Sequence, residues 1–389
     1  MELRVRTIGE SLDPRHNSLN FLRLVLALTV VVSHAGAIAG YALPTDINGT
    51  DIAQIAVDGF FGISGYLIAG SASRNSAGRY LWQRFLRIFP AFWVCLIVTA
   101  FFFGVVAWLH HPAVPRCGIT CYFHARLNSP YEYVYRNLLL QIHQNSIAGT
   151  PTRAFGVWNG SLWTLYFEFL CYLILMGLAL VGLLRRRRMV LIATAALWVA
   201  IAVITFTPSL DQRFTLFTNG FAMDLLKLSV VFMVGAVIFL YRDRIPDSGL
   251  LALGCAILLT ACLNWPNGQL SPALALTKSN ILAPLVAYPL LWLGAHLPLQ
   301  RVGKRNDYSY GIYIYGFPVA QLLLIFGVGQ WGVVPYLAAS VLFTLVFAVA
   351  SWWAIEKHAL RLKSLTLSQI PPHPTTAVGG HRASGRVRR

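Results

Sequence analysis

Charge is scarce in this chain: Asp, Glu, Lys and Arg make up 12% of 389 residues, where ordinary soluble domains carry about 25%. With 57% hydrophobic residues and a mean hydropathy of +0.61, that shortage excludes a string of soluble domains and makes the bilayer the solvent to reason in. Acidic residues are the scarcest, 14 against 31 Lys and Arg, for a net charge of +17. Nucleic-acid binders gather such an excess into one basic face. Here the basic residues sit between apolar runs, so no nucleic-acid partner is expected. Six cysteines are too few for a disulfide framework. Cys95, Cys171, Cys255 and Cys262 fall in apolar runs and read as small packing residues; Cys117 and Cys121 share a polar stretch, open to a local disulfide in an oxidising compartment. The nearby His110, His111 and His124 match no common zinc spacing, and no metal is expected. A signal-peptide pattern is missing, because the first 18 residues are polar and no cleavage site follows a short apolar run. No internal repeat of the solenoid or transporter kind is visible.

What is present is a series of ten apolar segments near the ~20 residues that cross a ~30 Å hydrocarbon core. They fall at about 19–40, 54–72, 88–109, 162–183, 189–206, 221–241, 249–264, 279–295, 308–328 and 334–355. Lys and Arg concentrate in alternate connections, among them Arg84 with Arg87, Arg185 to Arg188, and Arg301, Lys304 and Arg305. By the positive-inside rule the fold class is all-α integral membrane, about ten transmembrane helices with N and C termini cytoplasmic. A segment 1–18 precedes the membrane domain, 19–363, and a basic tail, 364–389, follows it and is expected to be disordered on anionic membrane lipid. One connection is long: the outer loop 110–161, polar and rich in Tyr, Asn and His, is a natural place to hold a substrate.

Ionisable side chains at membrane depth are costly and usually mark function. The set is short: Arg23, His34, Asp58, Glu168, Asp224 and Lys227. Arg23 and His34 are eleven residues apart, about three turns and ~16.5 Å, so they share one helix face at different depths. With the expected topology His34, Asp58 and Glu168 fall in one layer of the outer half of the bilayer, either as a proton-trading group or as polar contacts between helices. Asp224 and Lys227 have the spacing of a neutralising helical pair. Arg84 and Arg87 form a two-guanidinium fork suited to phosphate, with positive-inside topology as the plainer reading.

Four patches together resemble the integral-membrane acyltransferase-three family, whose members modify bacterial surface glycans. They are Arg23-x10-His34; Val57 to Ile68, with Asp58-Gly59-Phe60-Phe61 and Ser64-Gly65-Tyr66, followed by Arg84-x-x-Arg87, Pro90 and Trp93; Ser161-Leu162-Trp163 to Glu168; and Tyr308 to Tyr315 with Pro318, then Trp353 to Glu356-Lys357. The match runs through residues 19 to 363. Two positions depart: Gly316 stands where many members carry His, and His358 replaces a frequent Pro, so roles tied to those positions do not transfer.

The resemblance implies a bacterial inner-membrane enzyme that uses cytoplasmic acyl-CoA, most often acetyl-CoA, and a glycan hydroxyl as acceptor. Arg23, Arg84 and Arg87 are then the donor-binding residues. His34 is the expected general base, since neutral imidazole titrates near pH 6.5, with Asp58 or Glu168 orienting it; a transient acyl-His34 is the alternative. Ser161, Trp163 and Tyr166 are the candidate acceptor contacts, Trp163 and Tyr166 with Trp158 also reading as an interfacial aromatic belt. Gly62 and Gly65 suit close helix approach. The rival reading is a proton-coupled transporter or flippase of a glycan or lipid-linked sugar, with Arg23, His34, Asp58 and Glu168 as its relay.

Overall fold

The computed structural model describes residues 6–47, 50–110, 118–151, 156–207, 209–213, 220–264 and 280–364. Cys117, His111 and the tail beyond 364 lie outside them. The described chain is mostly helical, with one two-stranded hairpin in which Asp46–Ile47 pairs antiparallel with Thr50–Asp51. Ten long helices carry the architecture: α1 (Leu19–Ala39), α2 (Ile52–Ala72), α3 (Ala77–Leu109), α4 (Trp163–Leu180), α5 (Arg187–Thr205), α6 (Phe221–Leu240), α7 (Gly249–Leu263), α8 (Ala283–His296), α9 (Ser309–Ile325) and α10 (Val333–Arg361).

Seven of these, all but α7, α8 and α9, are long and apolar enough to cross a membrane. The protein is therefore a multi-pass helical membrane protein. The other three are shorter: α9 has 17 residues, about 25 Å of helix. It is buried almost throughout, from Ser309 to Gln321, so neighbouring helices rather than lipid surround it. Exposed aliphatic side chains such as Ile192 and Val199 on α5, Leu250 and Ile257 on α7, and Leu342 and Val346 on α10 make the lipid-facing shell.

Local chemistry sets the ends that matter. Asp51 caps α2 by accepting the Ala53 N–H at 2.9 Å, the role short polar side chains play at helix starts. Two helices contain π turns, Thr99–Phe103 in α3 and Trp352–Glu356 in α10, a feature that re-aims side chains and often marks functional sites. The second turn lets α10 run past the expected end at 355 and carries Glu356 inward.

The α2–α6 pair forms the closest crossing. A Cβ on Gly65 would collide with the carbonyl oxygen of Phe232, and one on Gly235 with that of Gly62. The backbones touch there because no side chain intervenes. Helix α1 packs among α2, α9 and α10, which brings its Arg23–His34 face to the centre. The 110–161 stretch is partly folded, with helices Ile119–Phe123 and Pro130–Asn137 and a Ser129/Glu132 capping box. It is pinned to α3, since Tyr122 donates to the Ala100 carbonyl in the π turn and Trp93 Nε1 donates to Leu138 O at 2.9 Å. Cys121 is in a disulfide.

Candidate functional site

At the end of the bundle that carries the basic loops, α1, α3, the 301–308 connection and the turn after α10 line an open pocket of about 270 Å³. Arg23, Arg84 and Arg87 line it together, so the structure joins the three cations that the sequence placed on different helices. Two of them are held by carboxylates. Asp307 Oδ2 lies 2.6 Å from Arg87 Nη2 and 3.2 Å from Arg23 Nη1, and Glu356 Oε2 lies 3.7 Å from Arg87 Nη1. Asp307 is itself fixed by Ser309, whose hydroxyl donates to Oδ1 at 2.6 Å and whose N–H donates at 3.2 Å. Burial alone would raise the Asp307 pKa, but Arg87, Arg23 and the Ser309 donors outweigh it and hold the carboxyl well below the usual carboxylate range. Ser351 Oγ donates to Glu356 Oε1 at 3.1 Å.

Arg84 differs. It stacks over Tyr172 at 5.9 Å and no described carboxylate pairs with it; its Nε, like that of Arg23, is buried without a described hydrogen-bond partner. The expected symmetrical fork therefore resolves into one arginine bound in an ion-pair network and one available for an anion.

Arg23 also lines a second, central cavity with Val57, Phe60, Leu165, Glu168 and Tyr313. Its walls are aromatic and aliphatic, with one carboxylate. Glu168 accepts from Ser64 Oγ at 3.2 Å and from the Tyr172 hydroxyl. Phe60 meets Tyr313 edge-on. One turn further along α9, Phe317 packs edge-on against the His34 ring, centroids 5.4 Å apart. Two ring pairs thus stand one turn apart on α9, Phe60–Tyr313 at the central cavity and Phe317–His34 beyond it.

The single layer expected for His34, Asp58 and Glu168 is not what forms. Glu168 meets Ser64, six residues and about 9 Å along α2 from Asp58, so it lies nearer Arg23 than His34. Asp58 is fully buried and accepts from Gln54 Nε2 and Asn280 Nδ2, each at 3.0 Å. The carboxylate whose charge acts on His34 is Asp51, which accepts from Ser33 Oγ at 2.7 Å beside the histidine. Counting residues from the expected span ends misplaced Glu168, which is level with Ser64 rather than with Asp58.

Of the acceptor candidates, Ser161 is buried, its carbonyl taking the Tyr313 hydroxyl at 2.9 Å. Trp163 is exposed and packs edge-on to Phe167, and Tyr166 packs on Phe221. Trp158 is fully buried with Nε1 donating to Thr150, which removes it from both the belt and any sugar contact. Asp224 and Lys227 interact electrostatically without closing an ion pair. Asp51 and Asp307 escaped the sequence reading because they lie in connections. The signal for both was an Asp just before an apolar helical run, a helix-start signature. Gly316 faces Val31 so closely that a side chain there would collide with it, the physical reason a His has no place at this position. Among the described residues no cluster of three potential metal ligands occurs.

The profile of a family described as an acyltransferase domain matches residues 16–353. Among relatives, an O-acetyl transferase of Shigella phage Sf6 is 30% identical over 357 residues, 91% of this chain and 99% of its own length. Nodulation protein 10 of Rhizobium leguminosarum bv. viciae is 29% identical over 380 residues, 92% and 96% of the two chains. No solved structure matches. With a profile covering nearly the whole chain and a full-length relative, this chain belongs to the acyltransferase-three family of integral-membrane acyltransferases.

Proposed function

We propose that this protein is an O-acyltransferase that moves an acyl group, acetyl in the first instance, from cytoplasmic acyl-CoA to a hydroxyl of a cell-surface glycan. The proposed setting is the bacterial inner membrane, with ten spans and both termini cytoplasmic. The observation that carries the reading is that Arg23, which shares one face of α1 with His34, lines both the arginine-rich pocket and the aromatic cavity beside it. A phosphate-bearing donor head suits that pocket, and the Arg23–His34 face of α1 leads from it toward an imidazole suited to a thioester. The name of the phage relative, O-acetyl transferase, points to the same chemistry.

In this reading His34 takes the proton of the acceptor hydroxyl as its oxygen attacks the thioester carbonyl. The carbon–sulfur bond then breaks, and the imidazolium returns its proton to the leaving thiolate, so no net proton is left on the enzyme. Asp51 favours the imidazolium as it forms, the part a carboxylate plays beside a catalytic histidine. Glu168 and Asp58 position the cavity walls through Ser64, Tyr172, Gln54 and Asn280. The acceptor approaches from the side of Trp163 and Tyr166, under the outer segment that carries the helices Ile119–Phe123 and Pro130–Asn137.

The test is transfer of labelled acetyl from acetyl-CoA to envelope glycans in membranes holding matched amounts of wild type and His34→Ala. The expected result is at least a hundredfold loss in the variant, the scale of a removed general base. Equal label in both overturns the reading and returns the His34 path to a transport role.

A further inference from the structure

The arginine pocket contains more positive charge than the expected donor residues supply. Its described lining includes Arg23, Arg84, Arg87, Lys304, Arg305 and Lys363 against one carboxylate, Asp307. Asp307 and Glu356 form ion pairs with Arg23 and Arg87, and no described carboxylate pairs with the other four. Lys363 is the one furthest from any expectation. It lies past residue 353, where the family profile ends, in a short turn after α10, yet it is drawn back onto the pocket. Trp82 of α3, two residues before Arg84, donates from Nε1 to the Leu362 carbonyl at 3.1 Å, and this bond anchors the turn that carries Lys363.

Resting on the acyl-CoA reading above, we propose that Lys363 and Arg84 together form the phosphate-binding site for the nucleotide end of the donor, and that Arg87 instead holds the pocket's framework. A CoA donor carries about four negative charges on its diphosphate and 3′-phosphate at pH 7, comparable with the uncompensated cations here. An ammonium acts as a mobile point charge and a guanidinium as a planar fork; a lysine beside an arginine thus covers two phosphate groups of different geometry. Electrostatics agree. Burial first, then the facing guanidiniums of Arg87, Arg84 and Arg23, with Asp307 opposing them, pulls the Lys363 pKa down to about 8. An arriving phosphate reverses that bias, so donor binding takes up a proton near this pH, and donor affinity falls as pH rises through about 8.

The assignment is tested by the KM of the full-length protein for acetyl-CoA and for S-acetylpantetheine, which lacks the phosphates. Lys363→Met raises the KM for acetyl-CoA about tenfold with kcat kept, the scale of one charge-assisted hydrogen bond, and leaves S-acetylpantetheine unchanged. Lys363→Arg, which retains the charge and guards against a folding defect, keeps the wild-type KM at pH 7 and removes its rise above pH 8. Wild-type transfer from acetyl-CoA with a KM that Lys363→Met does not move, or moves equally for both thioesters, overturns the assignment and leaves the acyltransferase reading intact. No wild-type transfer from acetyl-CoA overturns the reading and the assignment with it.

Discussion

Removing Asp307 and removing Arg84 leave different things behind. Asp307→Asn strands Arg23 and leaves Arg87 only its longer contact with Glu356, and breaking a largely buried pair by taking one partner is worth about 3 kcal/mol. Arg84→Ala strands nothing, because no described carboxylate faces it. In detergent, thermal unfolding of Asp307→Asn is expected to fall by several degrees while Arg84→Ala stays near wild type; the reverse order would assign the ion pairs no structural part. The Asp307 carboxyl is depressed in the fold, so its stabilisation is complete above the ordinary carboxylate pKa of about 4 and is lost as pH falls below it. Arg23, His34 and Glu168 were legible in the sequence because an ionisable group inside an apolar run stands out. Asp307, Asp51 and Lys363 were not, since a charge in a connection is the default and only the tertiary fold turns it inward.

At the scale of elements, the Gly62-Ile63-Ser64-Gly65 run announced a close crossing, and α2 against α6 is that crossing. The clash at Gly65 is with backbone, which cannot rotate aside. Gly65→Ala is therefore expected to separate the helices and lower the folded yield by size-exclusion profile, whereas Gly78→Ala, with open space at the added carbon, is expected to fold as wild type or slightly better, since alanine favours helix by up to about 1 kcal/mol. Equal yields would remove the crossing from the folding argument. The spans of α1 to α6 were readable from apolar runs to within a few residues, apart from the start of α3, where the helix begins at Ala77 rather than near 88. The π turns were not readable, because one extra residue in a turn leaves the apolar pattern almost unchanged. They touch the site all the same: the turn at Trp352–Glu356 ends on the carboxylate that lies 3.7 Å from Arg87.

For the whole molecule, the proposed orientation places the 110–161 segment outside and the α6–α7 connection inside. Leu127, 81% exposed, and Asp243, 69% exposed at its side chain, are suitable reporters. Leu127→Cys is expected to react with an impermeant maleimide in intact cells and Asp243→Cys only after permeabilisation; the opposite pattern would invert the topology and put the arginine pocket on the wrong side for cytoplasmic donor. The pocket joins the two extremes of the bundle. Arg23 stands on α1, the first of the ten helices to leave the ribosome, while Glu356 and Lys363 stand at the end of α10, the last. A nascent or truncated chain halted before α10 thus has neither the counter-ion that sets Arg87 nor the lysine beside Arg84. Under the proposed donor site, a chain truncated before α10 is expected to have lost its affinity for acyl-CoA, measurable as loss of donor binding.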